Sequence, residues 1–334
     1  MARICMVTES IDKRKGGVQA WSNLIKRGLE LFSPSTKVRV VETDVSKLYL
    51  REIITSNVLL VMNVRCMKFM LPIIVLLSYF RKVVLVVHGD DILAKSKKEE
   101  VFLNILFHFV RARYISNSIY TQKLLEEKWG RTSKVVHPFV EVVSVPELKR
   151  KQGGVFNIVS VGRLVSRKNH IGVIRAVSEL NSRGDGEYQY RIVGSGPMLN
   201  QINTFINEID AGKYVHLLGN LSDDEKNIEL NRADLFAMPS LYHPDDATVE
   251  GYGMVFIEAS SMAVPSLSGD SGGMPEAVIE GVTGEVCDGT VEGIINSILT
   301  VEKSEYSEEN MLNHAFKHDF KKQDLFYEMI LAKR

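Results

Sequence analysis

Short apolar runs alternate with longer amphipathic stretches from one end of the chain to the other. In the first half the runs are Ile4–Val7, Val38–Val41, Val58–Met62, Val83–Val87, Tyr114–Ile115 and Val135–Val136. They are brief and rich in β-branched residues, as strands buried on both faces of a parallel sheet are. Helical stretches such as Ala20–Leu31, Val101–Val110 and Thr121–Glu127 lie between them. The tract 140–154 breaks this rhythm with Pro146, several charges and Gly153-Gly154, and predicts a linker. The alternation then restarts, with strands predicted at Phe156–Val161, Tyr190–Val193, Val215–Leu218, Leu235–Ala237, Pro265–Leu267 and Glu285–Val286. Two such series predict an α/β protein of two doubly wound parallel sheets, 1–150 and 151–334, with ligands at the carboxyl ends of the strands. The segment Phe320–Leu331 predicts an amphipathic helix, with a return onto the first domain left open.

Composition agrees: 334 residues, 45% hydrophobic and 25% charged, suit two globular domains. Cys5, Cys66 and Cys287 have no metal-ligand spacing, and Cys5 falls inside the first predicted strand, so it reads as core in a reducing compartment. Met1-Ala2-Arg3 leads straight into that strand without a secretory leader, which predicts a cytoplasmic protein. The apolar stretch Phe69–Phe80 is too short for a bilayer, which needs roughly twenty residues. It predicts a buried crossover helix, with membrane contact as the second reading because Arg65, Lys68, Arg81 and Lys82 bracket it.

The net charge of zero conceals an asymmetry. Residues 1–150 carry 25 Lys and Arg against 14 Asp and Glu, and residues 151–334 carry 16 against 27. The basic first half predicts an anionic partner, and the opposite signs also allow simple attraction between the halves. An anionic membrane surface fits; nucleic acid is not expected.

Candidate chemistry concentrates in the second half. Gly251 and Gly253 precede an apolar helical stretch, where backbone amides at a helix start can face an anion. Glu250 stands before that turn and Glu258 roughly two turns along. Gly162-Arg163-Leu164 closes one predicted strand and Lys168 follows, giving two cations at strand carboxyl ends that suit a diphosphate. Val193-Gly194-Ser195-Gly196-Pro197 closes another, and Ser271-Gly272-Gly273-Met274-Pro275-Glu276 lies further on. Taken singly, each has an ordinary structural reading as a surface ion pair or a plain turn.

Together, the order and spacing of these motifs resemble the family 4 glycosyltransferases, retaining enzymes of GT-B architecture with two Rossmann-like domains facing across a cleft. The resemblance covers roughly residues 156–286. It implies that Arg163 and Lys168 hold the donor diphosphate and that Glu250 contacts the donor sugar. It places the amides of Gly253, Met254 and Val255 on phosphate and sugar oxygens, and Glu258 on the ribose hydroxyls. Gly162 closes the diphosphate strand; Gly194 and the Leu218-Gly219-Asn220 turn line the base pocket. In the looser first half, Gly16-Gly17-Val18 matches the family's glycine-rich loop, with Gly17 near the donor, and His88 matches a strand-end residue near the transferred sugar. The catalytic set so implied is Glu250, His88, Arg163 and Lys168. Residues 1–150 would take the acceptor and 151–334 the donor.

Three positions depart from the family pattern. Ala263-Val264-Pro265 lacks the usual Gly, Asn169 replaces a frequent Gly, and Phe139 stands where Asn or Gly is usual. None removes a charged or acid–base group. The implied reaction moves a hexose-type sugar from a nucleotide diphosphate donor, a UDP-sugar slightly ahead of a GDP-sugar, to a glycan or lipid-linked acceptor in bacterial surface polysaccharide or lipopolysaccharide assembly. No cofactor or metal is expected, since no Asp-x-Asp clamp is present. The enzyme would be cytoplasmic, peripheral on the inner face of the plasma membrane. An epimerase acting on the sugar nucleotide alone and a non-catalytic binding partner are the alternatives.

Overall fold

A computed structural model of the chain describes residues 3–12, 16–43, 50–142, 154–184, 186–242 and 248–332. Lys13-Arg14-Lys15 and most of the expected linker, residues 143–153, lie outside the described residues. The chain divides into two compact units: Met1–Glu141 with Pro244–Tyr252 and His318–Arg334, and Val142–His243 with Gly253–Lys317.

The first unit contains β1 (Arg3–Thr8), α1 (Gly17–Phe32), β2 (Lys37–Glu42), α2 (Leu50–Thr55), β3 (Val58–Val61), α3 (Leu71–Ser78), β4 (Lys82–Val87), α4 (Lys97–Phe109), β5 (Arg113–Ser116), α5 (Ile119–Trp129) and β6 (Lys134–Val135). The strands pair in parallel in the order β2-β1-β3-β4-β5-β6, so the topology reverses between β1 and β3. β3 and β4 are buried at every position, because helices cover both faces. α1 turns Trp21, Leu24, Ile25 and Leu29 inward, a helical stripe, and Cys5 is fully buried in β1. Burial, with Glu52 nearby, pushes the Cys5 thiol up to about 12, so it is an inert core residue. α3 departs from the expected buried helix: Leu71 and Ile74 face the core, but Phe69, Leu76 and Phe80 are 89%, 63% and 73% exposed.

The second unit contains β7 (Val155–Val161), α6 (His170–Arg183), β8 (Glu187–Val193), α7 (Leu199–Glu208), β9 (Val215–Gly219), α8 (Asp223–Arg232), β10 (Leu235–Met238), α9 (Met254–Ser261), β11 (Ser266–Gly269), β12 (Gly284–Cys287), α10 (Val291–Lys303) and α11 (Glu308–Lys317). Its parallel sheet runs β12-β11-β10-β7-β8-β9. Counted from its first strand this is the dinucleotide-fold order 3-2-1-4-5-6, with the switch point between β7 and β10. Ile158, Tyr190, Leu235 and Leu267 from the sheet pack with Val173, Val177, Ile294 and Ile298 from α6 and α10.

Besides a first boundary at 141, the two units differ from a single division at residue 150 by a strap and a C-terminal return, and both have a packing cause. In the segment 248–252, a Cβ on Gly251 would lie 2.2 Å from the His88 carbonyl oxygen and 2.4 Å from Asn117 Nδ2. The strap therefore lies directly on the ends of β4 and β5. The C-terminal return carries α12 (Asp324–Leu331), whose Tyr327 hydroxyl occupies the space a Cβ would take on Gly28 and donates to the Phe320 carbonyl at 2.7 Å. Phe139, fully buried, meets Trp21, Phe326 and Tyr327 edge-on. Lys82 adds a polar anchor, its ammonium donating to the carbonyls of Met329, Ile330 and Ala332 at 2.7, 3.0 and 2.7 Å.

Candidate functional site

The second unit's switch point gathers most of the residues singled out in the sequence. β7 leads into Gly162, whose amide donates to the Val193 carbonyl at 2.9 Å; the Gly194 amide donates in turn to the Gly219 carbonyl at 2.7 Å. The carboxyl ends of β7, β8 and β9 are thus stitched side by side. Glycine is required for that approach: a Cβ on Gly194 would lie 2.0 Å from the Gly162 carbonyl oxygen, and one on Gly196 would lie 2.4 Å from that of Leu164. Gly-Arg-Leu and Gly-Ser-Gly-Pro are therefore two sides of one packed element. Leu218 is half-buried on β9 beside it.

Lys168 ends a short 3-10 turn, Ser166–Lys168, and is only 8% exposed. Its Nζ reaches the Met238 thioether at 2.8 Å, at the carboxyl end of β10. Gly253, the N-cap of α9, lies on the same methionine, since a Cβ there would be 3.7 Å from Met238 Cε. Gly162 closes the group, with its Cβ direction 3.9 Å from Lys168 Nζ. A buried cation and a helix N-terminus thus converge on the crevice between β7 and β10. The first-turn amides of Met254 and Val255 have no intrahelical partner, which suits an anion. Arg163 is exposed and makes no hydrogen bond or ion pair among the described residues.

Beneath the crevice lies a chain of buried polar groups. Ser160 Oγ donates to the Ala237 carbonyl, so the Tyr190 hydroxyl donates to Ser160 at 2.7 Å and accepts from His170 Nδ1 at 3.2 Å. Burial, reinforced by the charge of Lys168, pushes the His170 imidazole down to about 3, so it stays neutral. Asn169, where a glycine is frequent, adopts the left-handed conformation at φ 57° and donates to the Gly289 carbonyl at 2.8 Å. Ala263 is left-handed as well, at φ 54°.

Glu258 lies on the fifth residue of α9, partly exposed, and accepts from Lys226 Nζ at 2.7 Å. Lys226 was not legible as a site residue, although a lysine directly after Asp223-Asp224-Glu225 is a local break in sign.

His88, Gly17 and Glu250 belong to the first unit. Gly17 opens α1 and is exposed. His88 is 7% exposed, edge-on to Trp21 at 5.6 Å, and its Nε2 stands 2.6 Å from the Met62 carbonyl oxygen. A carbonyl only accepts, so Nε2 carries the proton and Nδ1 is the ring's acceptor in the neutral form. The His88 amide donates to Asp91 Oδ1 at 2.8 Å, and burial holds that carboxyl well above the usual carboxylate range. Asp91, absent from the sequence-derived set, thus fixes the His88 turn. Glu250 is half-buried on the strap that covers it, in a different unit from Glu258. Among the described residues no three His, Cys, Asp or Glu side chains group as metal ligands, and no helix is long and apolar enough to cross a membrane.

Residues 146–318 match the family model "Glycosyl transferases group 1". A GDP-mannose-dependent alpha-(1-6)-phosphatidylinositol monomannoside mannosyltransferase of Mycolicibacterium smegmatis is 37% identical over 142 residues, 42% of this chain and 37% of that protein. The amylovoran biosynthesis glycosyltransferase AmsK of Erwinia amylovora is 30% identical over 149 residues, 44% of this chain and 36% of that protein. The match thus spans little more than a third of these curated relatives. Among solved structures, Anabaena Alr3699/HepE in complex with UDP and glucose superposes with a TM-score of 0.73 at 18% identity, over 98% of this chain and 99% of that one. The two doubly wound sheets are those of the GT-B fold, and the chain belongs to the glycosyl transferases group 1 family.

Proposed function

We propose that the chain is a retaining glycosyltransferase drawing on a nucleoside diphosphate sugar. The observation that carries this reading is the convergence of Lys168 and the α9 N-terminus on Met238 at the switch point. Both features favour negative charge, and a departing nucleoside diphosphate supplies it. Arg163 and Lys168 stabilise the leaving group, and the amides of Gly253, Met254 and Val255 share that charge. A leaving β-phosphate oxygen can take the acceptor hydroxyl's proton as the sugar–oxygen bond breaks and the new glycosidic bond forms on the same face. The reaction then balances without a strong protein base. Glu250 orients the donor sugar, and His88 offers Nδ1 to it. Lys168 and Arg163 take the place of a metal.

The mycobacterial relative is named for GDP-mannose and the Anabaena structure holds UDP, so both bases belong in the test. The protein is incubated with UDP-, GDP-, ADP- and TDP-sugars and a bacterial lipid extract. A glycosylated product with release of one nucleoside diphosphate supports the reading. Conversion of a sugar nucleotide with no glycosylated product would make it an epimerase.

The acceptor is a glycan or lipid-linked saccharide of surface polysaccharide assembly, met at an anionic leaflet. The support is the outer face of the first unit. Phe69, Leu76 and Phe80 are exposed beside Val101 and Phe109 of the adjoining α4, with Lys68, Lys95, Lys97 and Lys98 exposed around them. Each well-placed Lys or Arg adds about 1 kcal/mol of attraction to such a surface. Flotation with anionic vesicles at low salt, lost as salt rises, is the expected result; equal binding to neutral vesicles contradicts it.

A further inference from the structure

The Lys226–Glu258 pair is out of keeping with its surroundings. α8 opens with a capping box, in which Ser222 Oγ accepts from the Glu225 amide and Glu225 accepts from the Ser222 amide. Asp223, Asp224 and Glu225 fill the first turn, as the positive end of a helix favours. Lys226 follows at once, where a cation meets that same positive end unfavourably. It is nevertheless folded inward, its side chain 19% exposed against 28% for Glu258. Its Nζ lies 2.7 Å from Glu258 Oε2 and 3.9 Å from Asp223 Oδ1. Burial disfavours the charged ammonium, but Glu258 and then Asp223 outweigh it, and its pKa ends above the ordinary lysine value. Lys226 is charged at any physiological pH.

An ionised carboxylate has about four acceptor sites, and Lys226 takes one. We infer that Lys226 is a positioning residue for the nucleoside end of the donor, holding the Glu258 carboxylate oriented so that its remaining sites accept the ribose hydroxyls. The inference rests on the donor reading above, because the ribose role of Glu258 belongs to it. The electrostatics give the pair a purpose. A nucleoside diphosphate is an anion, and an uncompensated Glu258 would repel it. The lysine cancels that charge and leaves the acceptor geometry in place.

The test measures binding by calorimetry of UDP, GDP and their 2′-deoxy counterparts to the whole protein and to Lys226→Met, Lys226→Arg and Glu258→Gln. Methionine keeps most of the apolar stem, and a melting curve for each variant confirms a folded protein. The unsubstituted protein prefers the ribonucleotide of its own base by about tenfold or more, the scale of one hydrogen bond to a charged group. Lys226→Met erases most of that preference. Lys226→Arg retains the preference. If Glu258→Gln loses it while Lys226→Met keeps it in full, the positioning role is overturned and the ribose site stands. If Glu258→Gln also keeps it, the ribose site falls and the inference with it. If neither UDP nor GDP binds the unsubstituted protein, the donor reading itself fails.

Discussion

The carboxyl ends of the two sheets are built by different means. In the second unit, strand ends adjacent along the sheet are stitched by bonds from glycine amides to neighbouring carbonyls, and the charged groups project from a frame that is nearly all backbone. In the first unit, His88 is held by side chains and by a distant piece of chain: Asp91 takes its amide, Trp21 meets its ring, and the strap 248–252 lies over its carbonyl. A frame of backbone can be specified by a few glycines at fixed spacing. A frame of side chains and returning segments leaves no such trace. That difference explains why the motifs of the second unit are readable in the sequence and the surroundings of His88 in the first are not.

Four substitutions probe it. The first unit depends on its C-terminal return, so Phe139→Ala, which opens a cavity against Trp21, Phe326 and Tyr327, should cost about 3–5 kcal/mol of stability. Denaturant unfolding followed by Trp fluorescence measures it; a loss under 1 kcal/mol would mean that the return is only draped on the surface. Glu250→Gln should lower turnover by about 10²-fold, while Glu258→Gln should chiefly raise the donor KM, by about tenfold. Steady-state kinetics with one donor distinguishes the two, and a reversed pattern would mean that their roles are exchanged. The mildest change, Ala263→Gly, relieves a left-handed alanine and should stabilise the protein by about 1 kcal/mol. Thermal unfolding that moves the other way would show that the Cβ packs better than the backbone suffers.

Much of the fold was legible because parallel strands announce themselves as short apolar runs. Each of the twelve predicted strands has an observed counterpart, Pro265–Leu267 answering to Ser266–Gly269 and Glu285–Val286 to Gly284–Cys287. The fate of residues after 317 was not legible, since an amphipathic helix carries no address; Tyr327 seated against Gly28 and Lys82 on the helix's last carbonyls supply it. The departures acquire meaning only in three dimensions. Asn169 is a left-handed residue doing what glycine does elsewhere, and Phe139 is the aromatic against which α12 packs. Lys226 was missed because its significance lies in one carboxylate thirty-two residues away. The outward face of α3 was missed because apolar composition alone cannot say which side is buried.

On the function proposed above, buried Lys168 at the β7–β10 switch point stabilises the departing nucleoside diphosphate in place of a metal. The measurement is kcat for Lys168→Ala against the unsubstituted protein, by nucleoside diphosphate release with excess EDTA, both proteins first shown to be folded by their melting curves. The account predicts that chelation leaves the unsubstituted turnover intact and that Lys168→Ala loses about 10²-fold or more. Near-normal turnover in Lys168→Ala, or activity abolished by EDTA and restored by Mg²⁺ or Mn²⁺, would contradict it.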